Sequence, residues 1–338
     1  MTDVSTTAPR PPKPLRIFAW AVVAATFAFL INNYLTFWQD WPGGDALLLR
    51  AGELDGTGLA LAAVQLGLYG AALLLPMLYV SRSPDQPLRA DAEIMSGIVR
   101  FIIRASFWMV LLVGLADIVV SFMRVEGYLA EFVGADVASA WGYNESRAPQ
   151  LHMPLVGIAL VLALVTRTLG FHWLAVLVVL AELAIVISRF IFSYEQAFQG
   201  DLVRFWYGAL FLFASAYTLV EDGHVRVDVV YASLSTRAQG AVNVIGCLIM
   251  GILFCWVILY LGMATKSSII NAPLQSLEIT QSGFGMYVKY LMAGFLAIFG
   301  VSMMIQFCAY LLESWADWQG VPGGHAHHVH GEDQITEV

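Results

Sequence analysis

Charged residues are scarce in this chain. Only 12% of its 338 residues are Asp, Glu, Lys or Arg, and 59% are hydrophobic, whereas soluble domains carry roughly 25% charged residues. Mean hydropathy is +0.72. The composition therefore predicts a protein that crosses the lipid bilayer several times. The few basic residues are scattered along the chain, which excludes the basic patch of a nucleic-acid-binding protein.

Cysteines and catalytic motifs are also few or missing. The three cysteines, Cys247, Cys255 and Cys308, lie inside apolar runs without C-x-x-C spacing, so we expect neither a disulfide framework nor a bound metal. The sequence contains no P-loop, no H-E-x-x-H and no G-x-G-x-x-G between a strand and a helix. It therefore predicts no catalytic residue, no cofactor and no enzymatic activity.

Long apolar runs are the dominant feature. A membrane-spanning helix needs about 20 mostly apolar residues, and the sequence predicts an all-α, polytopic protein with short amphipathic helices at the membrane surface. Eight spans are predicted, at about 17–37, 59–80, 101–123, 152–165, 171–192, 205–220, 238–263 and 286–312. The fourth run is short, so a re-entrant segment is an alternative there.

The spans divide the chain into four parts. We predict a tail at 1–16, a group of four spans at 17–165, a second group at 166–315, and an acidic tail at 316–338. The last tail carries four histidines, which either bind a divalent cation adventitiously or belong to a solvated tail. An even number of spans places both termini on one side. A modest excess of Lys and Arg on that side predicts that it is cytoplasmic.

Glu182 lies near the middle of the fifth predicted span. An ionised group at that depth costs about 3 kcal/mol on insertion scales, so such a residue is a candidate functional site. Glu182 either relays a proton or binds a cation, or it pairs with a donor on a neighbouring helix or subunit. Asp117 is nearer the end of its span, and we expect it at the membrane interface.

Two further patterns bear on function and on helix packing. A haem site needs histidine pairs at matched depth, but His152 and His172 lie at span ends on opposite sides of the membrane, which disfavours haem. Ala63, Gly67 and Ala71 recur every four residues in the second span. Such a stripe of small residues predicts a close contact with another helix.

The sixth span ends in an abrupt polar turn. There the sequence reads His224-Val225-Arg226-Val227-Asp228, followed by Ser235-Thr236-Arg237. Alternating apolar and charged residues are typical of an amphipathic element at the membrane surface. The motif resembles the small, Q-type subunit of tripartite ATP-independent periplasmic (TRAP) transporters. The resemblance extends, more weakly, over about 171–313.

This resemblance implies a function. In TRAP systems a periplasmic binding protein delivers an organic acid to a large membrane subunit, which performs Na⁺-coupled uptake. The small subunit supports the large one in the bacterial inner membrane. It has four spans with both termini and the polar turn inside, an arrangement that four extra N-terminal spans preserve. The loops at 124–150 and 264–285 are then candidates for the binding-protein surface.

The resemblance also suggests residues that contact the large subunit. The family has an arginine and acidic residues near the positions of Arg189 and Glu195, although Tyr194-Glu195-Gln196 stands where Trp-x-Glu-Glu is common. The interface candidates are His224, Arg226, Asp228, Arg237, Arg189, Glu195 and Glu182. Two alternatives stay open: a stand-alone secondary carrier that uses Glu182, and a membrane anchor of a redox complex.

Overall fold

A computed structural model describes residues 11–167, 172–220, 231–280 and 285–321, apart from the side chain of Ala232. The turn with His224, Arg226 and Asp228 lies outside these residues, as do the four histidines of the C-terminal tail.

Eight long helices make up most of the described chain. Each is long and apolar enough to cross a membrane, and the described residues contain no strand, so the predicted all-α fold is confirmed. The helices are α1 (Lys13–Trp38), α2 (Gly56–Arg82), α3 (Leu88–Val125), α4 (Asn144–Val165), α5 (His172–Ile191), α6 (Ala197–Val220), α7 (Thr236–Met263) and α8 (Lys289–Trp318). Short helices occupy Ala46–Leu49, Leu129–Val133, Ala135–Ala140 and Asn271–Gln275.

Helix α3 begins earlier than the hydropathy predicts. It has 38 residues and is about 57 Å long, against a hydrocarbon core of about 30 Å. The predicted spans end at about 80 and begin again at about 101, but α3 already starts at Leu88 between them. Pro87 at the N-cap has the fixed φ that suits the beginning of a helix. The helix therefore extends well beyond the apolar run.

Two other helices are also longer than their apolar runs. Helix α4 runs without a break from Asn144 to Val165 and includes a π turn at Ala148–His152, so it is long enough to span the bilayer. Helix α6 begins at Ala197, eight residues before the span predicted at about 205–220. Phe198 and Leu202 in its first turns are buried.

The buried residues form two clusters, and each combines residues from both predicted halves of the chain. One cluster joins α1 and α3 to α6, α7 and α8, and the other joins α3 and α4 to α5, α6 and α8. Helix α8 lies at the centre of the bundle. Of the residues in its most apolar 18-residue stretch, 61% are buried, whereas in the corresponding stretch of α5 only 11% are buried. Helix α5 packs mainly against α6 and is the most exposed of the eight.

The bundle has two ends. We call the end at which α1 begins and α8 finishes the near end, and the opposite one the far end. At the near end, Arg89 in the first turn of α3 binds Asp317 in the last turn of α8 at 2.8 Å. The described parts of the N-terminal and C-terminal regions therefore lie at the same end.

Candidate functional site

A buried ion pair fastens three helices at the near end. Nε of Arg16 in α1 lies 2.5 Å from Oδ2 of Asp91 in α3, and both side chains are 0% exposed. Arg16 also donates to the backbone oxygen and hydroxyl of Ser83, just after α2. The other oxygen of Asp91 accepts hydrogen bonds from Tyr79 and Gln86. Because each guanidinium nitrogen of Arg16 and both carboxylate oxygens of Asp91 have a hydrogen-bond partner, the pair can be tolerated without water.

A second buried cluster surrounds Asp117 at the far end. Its Oδ1 lies 3.1 Å from Nη1 of Arg147 and 3.0 Å from Nε2 of His152, and its Oδ2 accepts the backbone N–H of Tyr287 at 2.8 Å. The other ring nitrogen of His152 lies 2.9 Å from the Tyr290 hydroxyl. Asp117, Arg147 and His152 are 0% exposed. Asp117 is therefore enclosed by protein, and its expected depth at the membrane interface stays a prediction.

The ring of Tyr287 connects this cluster to two arginines. The guanidinium carbons of Arg124 and Arg147 lie 4.7 and 4.5 Å from the ring centroid, a distance at which cation and ring attract. Arg124 also donates to the Tyr287 hydroxyl, which in turn donates to the backbone oxygen of Gly142 at 2.7 Å. The segment before α8 is thereby bound to α3 and α4.

A third buried carboxylate, that of Asp201, binds Met286, the residue before Tyr287. Oδ2 of Asp201 in α6 accepts the backbone N–H of Met286 at 3.0 Å and the hydroxyl of Thr280 at 3.2 Å. Two consecutive backbone N–H groups, those of Met286 and Tyr287, are therefore bound by carboxylates from α6 and α3. Polar groups left without partners at this depth would be costly, and these contacts satisfy them.

Amide side chains close the rest of the far end. Asn33 of α1 and Asn271 both donate to the backbone oxygen of Met263, at 2.6 and 2.9 Å. On the surface nearby, Nζ of Lys266 lies 2.6 Å from a carboxylate oxygen of Asp40. The loop after α7 is therefore bound to α1 and to the loop that follows α1. In the described part of the chain, no group of three or more His, Cys, Asp or Glu could hold a metal ion.

Against this geometry, the comparison with protein families gives one match. Residues 176–317 match the family model "Tripartite ATP-independent periplasmic transporters, DctQ component". The chain contains a DctQ domain. It covers most of α5 and all of α6 and α7, and ends at the penultimate residue of α8. The DctQ family indicates the small subunit of a TRAP transporter, a membrane protein and not an enzyme.

The match also locates the additional part of the chain. Helices α1–α4 precede the DctQ domain, consistent with the predicted N-terminal extension. A comparison with curated proteins and another with solved structures each gave no match.

Two of the interface candidates lie close together at one end of α5. Nε of Arg189 is 3.5 Å from Oε2 of Glu195, and both side chains are more than half exposed. The adjacent Tyr194 donates to Glu126 at 2.7 Å. Burial, and then this hydrogen bond, raise the pKa of Tyr194 to about 12, so its phenol stays protonated and keeps donating at ordinary pH.

Glu182 lies near the middle of α5 and is exposed on its surface. Among the described residues it has neither a hydrogen bond nor an ion pair. Arg237, in the first turn of α7, is also exposed. The remaining interface candidates, His224, Arg226 and Asp228, lie outside the described residues.

The stripe of small residues in α2 makes no tight contact inside the chain. Ala63 and Gly67 are exposed, Ala71 is half-buried, and no described atom lies within 4 Å of a Cβ placed on Gly67. Within the described chain, no other helix approaches Gly67 closely. The predicted contact of this stripe with another helix would then involve a separate polypeptide, and it stays a prediction.

The buried cluster around Asp117 was missed by the sequence reasoning. Arg147 was placed in a polar connection and His152 at a span end, five residues later. The π turn between them follows i to i+5 hydrogen bonding, which brings residues five apart to the same side of the helix. The signal that the sequence offers is a pair of basic side chains five residues apart with a proline, Pro149, between them.

Proposed function

We propose that this chain is the static scaffold subunit of a TRAP transporter. The observation that supports the proposal best is the use of its buried charges. Arg16–Asp91 and Asp117–Arg147–His152 join helices of the same chain, so these charges stabilise one arrangement of the bundle. On this proposal, the sites that bind substrate and ions, and that move during transport, belong to another subunit.

We further propose the roles of the partners. The large subunit performs Na⁺-coupled uptake of an organic acid, which a periplasmic binding protein delivers. The match to the DctQ component of tripartite ATP-independent periplasmic transporters supports both partners. On this proposal the chain lies in the bacterial inner membrane with its near end, and so both termini, in the cytoplasm.

The division into an extension at 17–165 and a DctQ half at 166–315 is part of the proposal. The extension widens the scaffold by four helices, and three of them, α1, α3 and α4, contribute to the hydrophobic clusters that the DctQ half also forms. At the far end, Asn144 donates to the backbone oxygen of Leu277 at 2.8 Å. This contact joins the loops 124–150 and 264–285, which we propose as the surface for the binding protein.

Co-purification tests the scaffold role. The full chain is purified from its native membranes in mild detergent, and the proteins bound to it are identified by mass spectrometry. We expect a larger subunit with many spans in about equal amount. A chain that is recovered alone, or with soluble redox subunits, would overturn the proposal.

The exposed carboxylate of Glu182 favours one competing function, that of a stand-alone carrier. Purified chain in proteoliposomes distinguishes the two, because a scaffold alone transports nothing. Organic-acid uptake by the chain alone that is lost in Glu182→Gln would establish the carrier instead. An absorbance spectrum with a haem Soret band would favour the redox anchor.

A further inference from the structure

Helix α5 has one face that the chain itself covers. Positions 174, 178, 181, 185 and 188 are buried or half-buried and follow a spacing of four and three residues. Leu174 and Ala181 belong to the cluster that α5 shares with α6, and the hydroxyl of Ser188 accepts a hydrogen bond from Gln199 at 2.9 Å. This spacing is typical of helices that pack side by side at a shallow angle.

A second row with the same spacing lies one residue further along. It consists of Ala175, Val179, Glu182, Val186 and Arg189, and we call it the open row. Val179 is 64% exposed and Val186 48%, and Glu182 and Arg189 are exposed as well. A small residue and two β-branched residues give a flat surface that suits another membrane helix.

Glu182 distinguishes the open row from an ordinary lipid-facing surface. Lipid tails offer a carboxylate no hydrogen-bond donor, and polar groups at this depth pair with protein or line a water-filled cavity. Arg189 does not neutralise Glu182, because two helical turns separate them by about 10.5 Å along the axis and Arg189 already pairs with Glu195. Among the described residues, nothing else binds the Glu182 side chain.

We infer that a membrane-spanning helix of the large subunit packs along the open row and pairs a Lys or Arg with Glu182. The inference rests on the proposed scaffold function and assigns its contact surface. A second copy of this chain is a poor occupant, because two-fold packing through the same row places one Glu182 against the other. Like charges at that depth repel, whereas a cation supplies both the charge and the hydrogen bonds.

Site-specific photo-crosslinking in the intact complex tests where the helix lies. A photoreactive amino acid replaces Val179 or Val186 in the open row, or Leu180 or Leu183 as matched controls that are equally exposed elsewhere on α5. We expect crosslinks to the large subunit from Val179 and Val186, and much weaker ones from the controls. The crosslinked peptide is expected to contain a Lys or Arg within a span. Equal crosslinking from all four positions, or crosslinks only to a second copy of this chain, would overturn the inference.

Charge reversal tests the pairing. In Glu182→Lys, we expect the large subunit recovered per chain to fall by about tenfold or more, as for other buried charge pairs. Replacing the crosslinked Lys or Arg by Glu is expected to restore recovery. The yield and the elution volume of the variant chain, purified without the large subunit, show whether it folds. Leu183→Gln is the control for a polar substitution on α5 outside the open row.

The outcomes separate this inference from the proposed function. If Glu182→Lys retains the large subunit at the wild-type level, the pairing is refuted while the scaffold role stands. If the wild-type chain binds no large subunit at all, the scaffold role itself fails.

Discussion

At the scale of single residues, Asp117 does the most to determine how the far end is built. Its carboxylate contacts the side chains of Arg147 and His152 in α4 and accepts the backbone N–H of Tyr287, just before α8. Its donors come from two segments that are far apart in sequence. A carboxylate that is buried and shared in this way stabilises only the arrangement in which all of its donors are present.

Removing this carboxylate should destabilise the chain. In Asp117→Ala, the Arg147 guanidinium stays fully buried without its counter-ion, which costs about 3–5 kcal/mol. We expect a clear loss of thermal stability in detergent, measured on the purified chain. Asp117→Ala combined with Arg147→Met removes both charges and should recover part of that loss. Asp85→Ala, an exposed acidic residue in a turn, is the control, and equal melting of Asp117→Ala and this control would contradict the expectation.

The Asp117 cluster shows which residues a single sequence leaves undetermined. Glu182 was recognised because one charge inside an apolar run is visible by itself. Asp117 lies in the same kind of run, but its environment depends on Arg147, His152 and Tyr287, which belong to other elements. No local pattern connects residues 30 to 170 positions apart, so burial of the carboxylate had to come from the structure.

At the scale of elements, hydropathy predicts the eight spans well and their ends poorly. The apolar core of each helix must match the bilayer, and this requirement is visible in composition. The polar turns that extend α3 and α6 beyond the core carry no such signal. The start of α3 at Leu88 and of α6 at Ala197 therefore differ from the predicted bounds.

Helix contacts were equally hard to predict, because small residues look alike in sequence. The four-residue stripe at Gly67 has open space around it, whereas tight contacts occur at glycines of other helices, among them α7. A Cβ on Gly240 would lie 2.7 Å from the backbone nitrogen of Trp318, and one on Gly251 would lie 2.5 Å from the ring of Phe307. These glycines do not follow the four-residue spacing, so the usual motif misses them.

The contact of α7 with α8 gives a test within one helix. Gly240→Ala pushes a methyl group against backbone atoms of α8, which cannot move as a side chain can, and we expect a loss of about 1–3 kcal/mol from overpacking. Gly246→Ala, six residues further along, meets nothing within 4 Å. Because alanine restricts the unfolded chain, it should be neutral or stabilise by up to about 1 kcal/mol. Melting in detergent compares the two, and equal effects would show that α7 and α8 are not in close contact.

At the scale of the whole molecule, sequence and packing divide the chain differently. The family match begins within α5 and ends in α8, so by sequence the first four helices form an extension. By packing there is no such boundary, because each hydrophobic cluster takes residues from both parts. Arg89–Asp317 and Asp117–Tyr287 add polar contacts across it. The extension and the DctQ half therefore depend on each other for burial of their apolar faces.

This dependence predicts how a divided chain behaves. When 1–167 and 172–338 are co-expressed as separate polypeptides, we expect them to assemble and to remain together through purification, because the shared clusters hold them. The second fragment expressed alone should aggregate or be degraded, since α8 would expose its buried face to lipid or to other chains. Affinity capture through a tag on one fragment, followed by size-exclusion chromatography, measures both outcomes. A second fragment that is monodisperse and stable by itself would mean that the shared core contributes little, and that α1–α4 are an appendage to a self-sufficient DctQ domain.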